Sequence, residues 1–259
     1  MNQEERRRFL IEELLRERLS CRRQEIPADT DRQKVLLRSL MNVRHPGAIS
    51  QRFLEVQDAY LQGELAAKKI TRLSELSPLQ NGIYLWRGDI TTLDCGAIVN
   101  AANSGMTGCY QPCHNCIDNC IHTYAGVQLR LKCAEIMEQQ GYEEPTGQAK
   151  ITPAYNLPCD YVIHTVGPIV RGKLTRQHCE LLKSCYRSCL ELADENNVGS
   201  IAFCCISTGI FMFPNDRAAE IAVQTVQEYK AETGSKIEVV FNVFKEQDER
   251  IYRKLLSAD

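Results

Sequence analysis

Residues 200–234 read SIAFCCISTGIFMFPNDRAAEIAVQTVQEYKAETG, and this stretch decides the fold. It begins with an apolar, strand-like run, passes through a short loop, and continues as an amphipathic helix. Pro214 precedes that helix, and Asn215 or Asp216 is expected to cap it. A strand that leads directly into a helix is typical of α/β proteins.

The same alternation of strand and helix extends over most of the chain. Four more strand-like runs are rich in apolar residues: GIYLWRGDI at 82–90, AIVNAAN at 97–103, DYVIHTVGP at 160–168 and KIEVVFNVF at 236–244. Two further helices are expected between them, one over 116–141 and one over 176–198. The pattern predicts a sheet with helices on both faces.

The N-terminal part of the chain has a different pattern. It contains no strand candidate and three stretches with helical spacing, at 6–19, 29–44 and 49–69. Asp29 and Thr30 are candidate caps for the second stretch. We therefore predict a helical N-terminal extension over residues 1–75 and an α/β domain over residues 76–259.

Charge and composition limit the partners of the chain. Its 259 residues carry a formal net charge of −2, from 31 basic and 33 acidic residues. A protein of this charge lacks the positive excess that holds a nucleic-acid backbone. No apolar run is long enough to span a bilayer, and the charged N-terminal pattern differs from a secretory signal. We expect a cytoplasmic protein with neither a nucleic-acid nor a membrane partner.

Thirteen cysteines are a high number for a chain of this length. In the cytoplasm they would stay reduced, and so be available as metal ligands or as small core residues. Cys185 and Cys189 fall on one face of an expected helix, and Cys204 and Cys205 lie in a strand-like run. These four are predicted to be buried.

Three segments follow predicted strands, where α/β proteins bind their ligands. Ser207 to Phe211 combines small hydroxyl residues with a glycine, which suits either a neutral diphosphate cradle or an ordinary turn. Asp89 either accepts a hydrogen bond from an adenine amino group or occupies a common turn. Asn100 and Asn103 either pair with the vicinal hydroxyls of a sugar or satisfy the local backbone.

The most specific segment is CYQPCHNC at residues 109–116. Thiolate and neutral imidazole are ligands that zinc prefers. Four thiols, at positions 109, 113, 116 and 120, would make a closed structural site. Cys109, His114 and Cys116 alone would leave a fourth position for water or substrate. The residues by themselves leave both alternatives open.

Taken together, these segments resemble the macrodomain family over about residues 82–256. The resemblance depends on four pieces in order: RGDI at 87–90, IVNAANSG at 98–105, PTGQAKITPAYNLPCDYVIHTVGP at 145–168 and SIAFCCISTGIFMFP at 200–214. It implies a three-layer α/β/α macrodomain with a mixed central sheet, preceded here by the helical extension. It also implies that the ligand is ADP-ribose.

One departure from the family pattern is informative. Macrodomains usually have a glycine-rich stretch after the asparagine loop, and this chain has residues 108–116 there instead. The replacement resembles the zinc-dependent branch of the family, whose Cys-x4-His-x-Cys motif holds an active-site zinc. Microbial members of that branch remove ADP-ribose from proteins. The resemblance therefore implies a catalytic Zn²⁺ bound by Cys109, His114 and Cys116.

The resemblance also implies roles for individual residues. Asp89 and Ile90 would lie at the adenine and Asn103 at the distal ribose. Asp118 would lie near the scissile bond, where it would orient or activate water unless zinc does so. Asn103 and Asp118 are therefore the predicted catalytic residues. The predicted substrate-binding residues are Asp89, Ile90, Asn100, Ala101, Asn103, Ser207, Thr208, Gly209, Ile210 and Phe211.

The expected function is zinc-dependent removal of mono-ADP-ribose from a modified protein, with ADP-ribose as the product. A lipoyl-carrier protein is a candidate substrate, because members of this branch are associated with one. The alternative is a reader module that binds ADP-ribose and uses zinc only to stiffen its loop. An enzyme that acts on a small ADP-ribose ester is a third possibility. The open three-ligand spacing and Asp118 favour the protein hydrolase.

Overall fold

The computed structural model describes residues 1–18 and 25–257, which contain eight α-helices, eight strands and two short 3-10 helices, Leu73–Glu75 and Ile90–Thr92. The strands are Thr71–Arg72 (β1), Ile83–Arg87 (β2), Leu93–Asp94 (β3), Ala97–Ala102 (β4), Ala149–Pro153 (β5), Tyr161–Val166 (β6), Ser200–Phe203 (β7) and Glu238–Val243 (β8). The helices are Gln3–Glu17 (α1), Thr30–Val43 (α2), Gln51–Ala66 (α3), Ile117–Ala125 (α4), Val127–Gln140 (α5), Arg176–Glu195 (α6), Asn215–Thr233 (α7) and Glu246–Leu256 (α8). None of these described helices has the length and apolar character needed to cross a bilayer.

Six strands form one sheet in the order β2-β8-β7-β4-β6-β5. Neighbouring strands are parallel except β5, which runs antiparallel to β6. Helices pack on the sheet, with α4 against β4, α6 against β5 and β6, and α8 against β2 and β8. The three-layer fold with a mixed sheet is thus confirmed. The carboxyl ends of the five parallel strands lie at one edge, where the loops with the predicted site residues begin.

The edge strand β5 was not among the predicted strands. It ends in Pro153, which has no N–H to donate and is therefore tolerated only at an edge or a strand end. Only one of its five residues, Thr152, is fully buried, so the segment lacks the apolar run that marks the central strands. This weak pattern explains why sequence periodicity did not find it.

The single helix expected over residues 116–141 is wrong, because two helices meet at Gly126. This glycine has φ 99° and ψ 173°, a backbone conformation that is almost restricted to glycine. The first N–H of α5, from Val127, donates to Oε1 of Gln57 on α3 at 2.9 Å. A side chain from the N-terminal region therefore caps the second helix.

The expected caps had mixed outcomes. Asp29 caps α2 as predicted, by accepting a hydrogen bond from the Arg32 N–H at 2.8 Å. The prediction for α7 is wrong, because Asn215 is already its first helical residue and the N-cap is Pro214, without a side-chain cap. The side chain of Asn215 instead donates to Asp248 at the start of α8.

The N-terminal helices pack around an apolar cluster of their own. Its buried members are Leu10, Ile11, Leu14, Leu15, Leu37, Leu40, Met41, Phe53, Val56, Tyr60 and Leu61, together with Val127 of α5. Arg7 of α1 is buried and donates to Gln33 of α2 at 2.9 Å, so a charged residue also joins two of these helices. A short strand, β1, lies before residue 75, where none was expected. The domain boundary at that residue stays a prediction.

Two of the four cysteines predicted to be buried lie on α6. Cys185 and Cys189 have no exposed surface, as expected for one helical face turned to the sheet. Cys204 is also buried, whereas Cys205 is only partly so. These thiols therefore serve as core residues.

Candidate active site

The loop after β7, residues 204–213, lies at the carboxyl edge of the sheet. It closes on itself through a hydrogen bond from the Phe213 N–H to the Ser207 carbonyl at 3.0 Å. Ser207 has a φ of 64°, and its buried hydroxyl has no partner within the described residues. In the same described ranges, no backbone acceptor receives the N–H groups of residues 209–211. These backbone N–H groups of the loop are thus free to bind an anion, whereas the Ser207 hydroxyl is buried.

A glycine just after β6 lets this loop come close to the sheet. A Cβ atom at Gly167, just after β6, would lie 2.1 Å from the hydroxyl oxygen of Ser207. Three residues later, the Val170 N–H donates to the Phe211 carbonyl at 2.8 Å. The segment after β6 therefore supports the loop from behind, and a larger residue at position 167 would displace it.

Asp89 and Ile90 follow β2 at the same edge. One carboxylate oxygen of Asp89 accepts from the Thr91 N–H at 3.0 Å and from its hydroxyl at 2.6 Å. The other oxygen lies 3.8 Å from the Lys68 ammonium, and the side chain is 43% exposed. Ile90 is buried in the core. Asp89 therefore caps a turn with one oxygen and keeps the other partly exposed.

Phe244 stands next to this turn, immediately after β8. Its side chain is 78% exposed, and the Gly88 N–H donates to the carbonyl of the preceding residue, Val243, at 3.1 Å. An exposed aromatic face beside a carboxylate suits a purine ring. The sequence interpretation missed Phe244 because it treated the residue as the end of a strand. An aromatic residue directly after a strand was the signal that could have found it.

Residues 108–116 form a compact loop in front of α4. The donor atoms of Cys109, His114 and Cys116 all lie within 4.8 Å of one another. Cys116 is the N-cap of α4, and its sulfur accepts a hydrogen bond from the Asn119 N–H at 3.4 Å. Burial raises the pKa of the Cys116 thiol to about 12, so a nearby cation is needed for it to ionise. Two thiols and an imidazole are a donor set that fits zinc.

The other two thiols of this region have different contacts. Cys113 donates to the carbonyl of Val35 at 3.5 Å, and the sulfur of Cys120 lies 3.7 Å from the guanidinium of Arg38. Neither belongs to the group of three donors. This arrangement favours an open three-ligand site over a closed site of four thiols.

A second group of side chains that can hold a metal ion is fully buried and consists of His122, Cys133 and His164. The ring nitrogens of His164 lie 3.1 Å from the Asn100 amide and 3.0 Å from the Thr152 hydroxyl, so both are already occupied. Burial lowers the pKa of His164 to about 3, which keeps the ring neutral. The described residues thus offer two possible metal sites, and the one at Cys109 is the more exposed to a substrate.

Asp118, on the first turn of α4, is held by the two asparagines of the β4 loop. Asn100 donates to one carboxylate oxygen at 2.8 Å, and Asn103 donates to the other at 3.2 Å. Asn103 also donates to the carbonyl of Gly108 at 3.2 Å. Gly108 is the first residue of the loop at 108–116, which we call the metal loop. Burial raises the pKa of Asp118 to about 6. Asn103 therefore links the buried carboxylate to the metal loop.

Asn100 itself lies behind the carboxylate rather than in an open sugar site. It is fully buried, and its amide contacts both Asp118 and His164. Because an amide nitrogen donates, Nδ1 of His164 accepts, and the ring proton sits on Nε2 next to Thr152. Asn100 therefore belongs to a chain of polar groups, Thr152–His164–Asn100–Asp118, that fixes the carboxylate, and its contact with a sugar stays a prediction.

Comparison with known proteins shows the family of this chain. A family model described as the Macro domain matches residues 99–222. A protein from Treponema medium named protein-ADP-ribose hydrolase is 63% identical over 99% of this chain and 100% of its own length. The chain belongs to the macrodomain family. Another protein-ADP-ribose hydrolase, from Staphylococcus aureus strain MSSA476, is 49% identical and covers 97% of this chain and 95% of its own.

The solved structures similar to this macrodomain include one with a ligand of the expected kind. The macrodomain of Trypanosoma brucei in complex with ADP-ribose has a TM-score of 0.66 and 29% sequence identity. The match covers 84% of this chain and 94% of the Trypanosoma chain.

The predicted site residues of this macrodomain fall into three groups along the sheet edge. One group lies around the start of α4 and consists of the three proposed metal ligands together with Asn103 and Asp118. Asp89 and Ile90 follow β2, near Phe244. The loop of Ser207 to Phe211, with Thr208, Gly209 and Ile210, follows β7 between them, and the partly exposed Ala101 lies on β4. Their functional roles stay predictions.

Proposed function

We propose that this macrodomain is a zinc-dependent hydrolase that releases ADP-ribose from modified proteins. The proposal depends on one observation: the open group of three metal donors lies next to the buried carboxylate of Asp118. Asn103 joins the two, since it donates both to Asp118 and to the carbonyl before Cys109. Relatives named protein-ADP-ribose hydrolase, 49% and 63% identical over nearly the whole chain, support the same activity.

The order of strands in the sheet supports one orientation of the ligand. The Asp89 turn and Phe244 follow β2 and β8, the loop at Ser207 follows β7, and Asn103 follows β4. These strands are consecutive neighbours, so the three places lie in a row. Adenine at the first, diphosphate at the second and distal ribose at the third match the sequence of groups in ADP-ribose.

The residues around Asp118 would perform the chemistry on the distal ribose. Zinc held by Cys109, His114 and Cys116 would act as a Lewis acid, or would lower the pKa of a bound water to about 7. Asn103 holds the ribose hydroxyls against the metal loop, and Asp118 orients the water that attacks. The water oxygen forms a bond to the first carbon of the ribose as the bond to the protein side chain breaks, and the side chain leaves with a proton from that water.

The alternative function is a reader that binds ADP-ribose without releasing it from the protein. A reader needs the phosphate loop and the adenine site, but it does not need a carboxylate held by two amides at the scissile end. The hydrogen bonds that fix Asp118 therefore favour the enzyme. Calorimetry with ADP-ribose combined with turnover of an ADP-ribosylated protein separates the two, because a reader binds without turnover.

The decisive experiment measures zinc content and turnover in the same preparations. Cys116→Ala and His114→Ala should lose both zinc and turnover, because each removes one of three ligands. Cys113→Ser is the matched control in the same loop, and it should keep both. Full activity in a zinc-free variant would contradict the enzyme mechanism, and zinc loss in Cys113→Ser would indicate a closed four-thiol site.

The modified protein is a finer part of the proposal. A lipoyl-carrier protein is the substrate that the family resemblance suggests. Turnover rates on an ADP-ribosylated lipoyl-carrier domain, on other ADP-ribosylated proteins and on a small ADP-ribose ester would rank the candidates. A higher rate on the small ester would favour the third alternative.

A further inference from the structure

The second helix of the N-terminal region contacts the metal loop directly. Arg38 on α2 donates to the backbone carbonyl of His114 at 2.7 Å and to the side-chain oxygen of Asn119 at 3.0 Å. His114 is one of the three proposed ligands. A charged donor therefore holds the backbone of a ligand residue from outside the loop.

Asn119, the second partner of Arg38, closes the loop from inside. It is fully buried, and its amide nitrogen donates to the carbonyls of Cys109 at 3.3 Å and Gln111 at 3.0 Å. Its backbone N–H donates to the sulfur of Cys116. Since Arg38 takes the side-chain oxygen of Asn119, it also fixes which way the amide faces.

A second residue of α2 holds the middle of the loop. Asn42 is buried, accepts a hydrogen bond from the Cys113 N–H at 2.8 Å, and donates to the Thr123 hydroxyl on α4 at 2.9 Å. Cys113 has a φ of 53°, so the loop makes a tight bend at this contact. The bend places His114 directly after the point that Asn42 holds.

The end of α2 is itself anchored to the macrodomain. Arg130 of α5 donates to the carbonyls of Met41 at 3.2 Å, Asn42 at 2.7 Å and Arg44 at 2.6 Å, which are the last carbonyls of the helix. A buried guanidinium at a helix C-terminus stabilises that end. Arg38 and Asn42 are therefore presented to the loop from a fixed support.

We propose that α2 is part of the metal site and that Arg38 is a positioning residue for the loop that carries the three ligands. This inference rests on the proposed function, because it takes Cys109, His114 and Cys116 as the zinc ligands. The loop is short and irregular, so contacts from α2 add to those of α4 in keeping its ligands in place. Groups that orient metal ligands in this way typically change metal affinity 10–100-fold when they are removed.

The test compares three variants of the full chain. Arg38→Met keeps the aliphatic stem and removes both hydrogen bonds, and Arg38→Lys keeps the charge but not the fork of donors. Lys34→Met is the matched control, one turn earlier on α2, where the ammonium pairs with Glu64 rather than with the loop. Each protein is loaded with zinc, and the rate of zinc transfer to a chromophoric chelator is measured together with the thermal unfolding midpoint.

We expect Arg38→Met to release zinc at least about tenfold faster than the wild type, Arg38→Lys to lie between them, and Lys34→Met to match the wild type. Arg38→Met should also lose turnover at limiting zinc. Saturating zinc should restore part of that turnover, since the ligands themselves are intact. If Arg38→Met unfolds, the Arg38→Lys release rate decides the question. If both Arg38 variants release zinc at the wild-type rate while the wild-type protein binds zinc and turns over substrate, this inference is overturned and the proposed function stands. A wild-type chain that binds no zinc would overturn the proposed function as well.

Discussion

Asp118 combines burial with two amide donors, and this combination separates it from an ordinary surface carboxylate at a helix start. Its side chain is nearly inaccessible, yet no positively charged side chain donates a hydrogen bond to it among the described residues. Burial raises its pKa, and the amides of Asn100 and Asn103 oppose that rise. A carboxylate kept in this way is oriented without being neutralised, which suits the role in orienting water that we propose for it.

Replacing Asp118 by Asn tests whether the carboxylate contributes beyond its shape. We expect Asp118→Asn to lower kcat by about 10²-fold, the low end of general acid–base effects, while zinc content stays at the wild-type level. The measurement is turnover of an ADP-ribosylated protein at saturating substrate. Asn103→Ala provides the comparison. If only Asn103→Ala is impaired, the metal rather than the carboxylate prepares the nucleophile.

Replacing Asn100 by Leu tests the chain of polar groups behind the site. The change removes a donor from Asp118 and leaves the Nδ1 acceptor of His164 without its partner, which costs about 1–3 kcal/mol of unfolding free energy. We expect kcat to fall about tenfold with KM nearly unchanged, because Asn100 is buried and its hydrogen bonds go to Asp118 and His164. Urea unfolding and steady-state kinetics measure the two effects.

The control for Asn100→Leu is Thr225→Val on α7. It also removes a buried hydrogen bond, from the threonine hydroxyl to the Ile221 carbonyl, but it lies away from the proposed site. It should change stability without changing kcat. A large rise in KM for Asn100→Leu would instead support the direct sugar contact that the sequence suggested.

At the junction of α4 and α5, Gly126 lets the first N–H of α5 bind Gln57 of the N-terminal helices. Gly126→Ala would force a Cβ into a conformation that is nearly exclusive to glycine, and the new atom would lie 2.6 Å from the Gln57 amide. We expect a loss of about 1–3 kcal/mol of unfolding free energy. Gly199→Ala is the control, since nothing lies within 4 Å of its added Cβ. Equal stability of the two variants in urea would contradict this account.

The elements that the sequence predicted are those whose own residues carry the periodic signal. The central strands and α6 follow from apolar runs and spacing, and CYQPCHNC indicated a metal site by its composition alone. The break at Gly126 and the edge strand β5 depend on partners distant in sequence, Gln57 in one case and β6 in the other. Local patterns do not contain such partners.

The same limit applies to the candidate site. The resemblance placed Asn103 and Asp118 correctly side by side, because both follow recognisable segments. It assigned no task to the helical extension, since the contacts of Arg38 join residues that are 76 or more positions apart. The sequence did not indicate the contacts of Asn100 with Asp118 and His164, because they depend on how α4 packs over β4.

At the scale of the whole molecule, the N-terminal helices and the sheet domain are coupled although each has its own apolar cluster. Val127 of α5 belongs to the N-terminal cluster, and Arg130 of the same helix binds the carbonyl end of α2. Gln57 of α3 caps α5 in return. These contacts are buried and specific, so opening one region leaves polar groups of the other without partners.

We therefore expect the two regions to unfold in one cooperative transition, although the sequence pattern divides at residue 75. Trp86 is the single tryptophan of the chain and lies on β2, so its fluorescence reports the sheet domain alone. Far-ultraviolet circular dichroism reports all helices, including the three N-terminal ones. The two signals should give the same midpoint in urea. Loss of helical signal at lower urea than the tryptophan change would mean that the N-terminal helices are an independent unit. In that case their contacts with the metal loop would be too weak to position it.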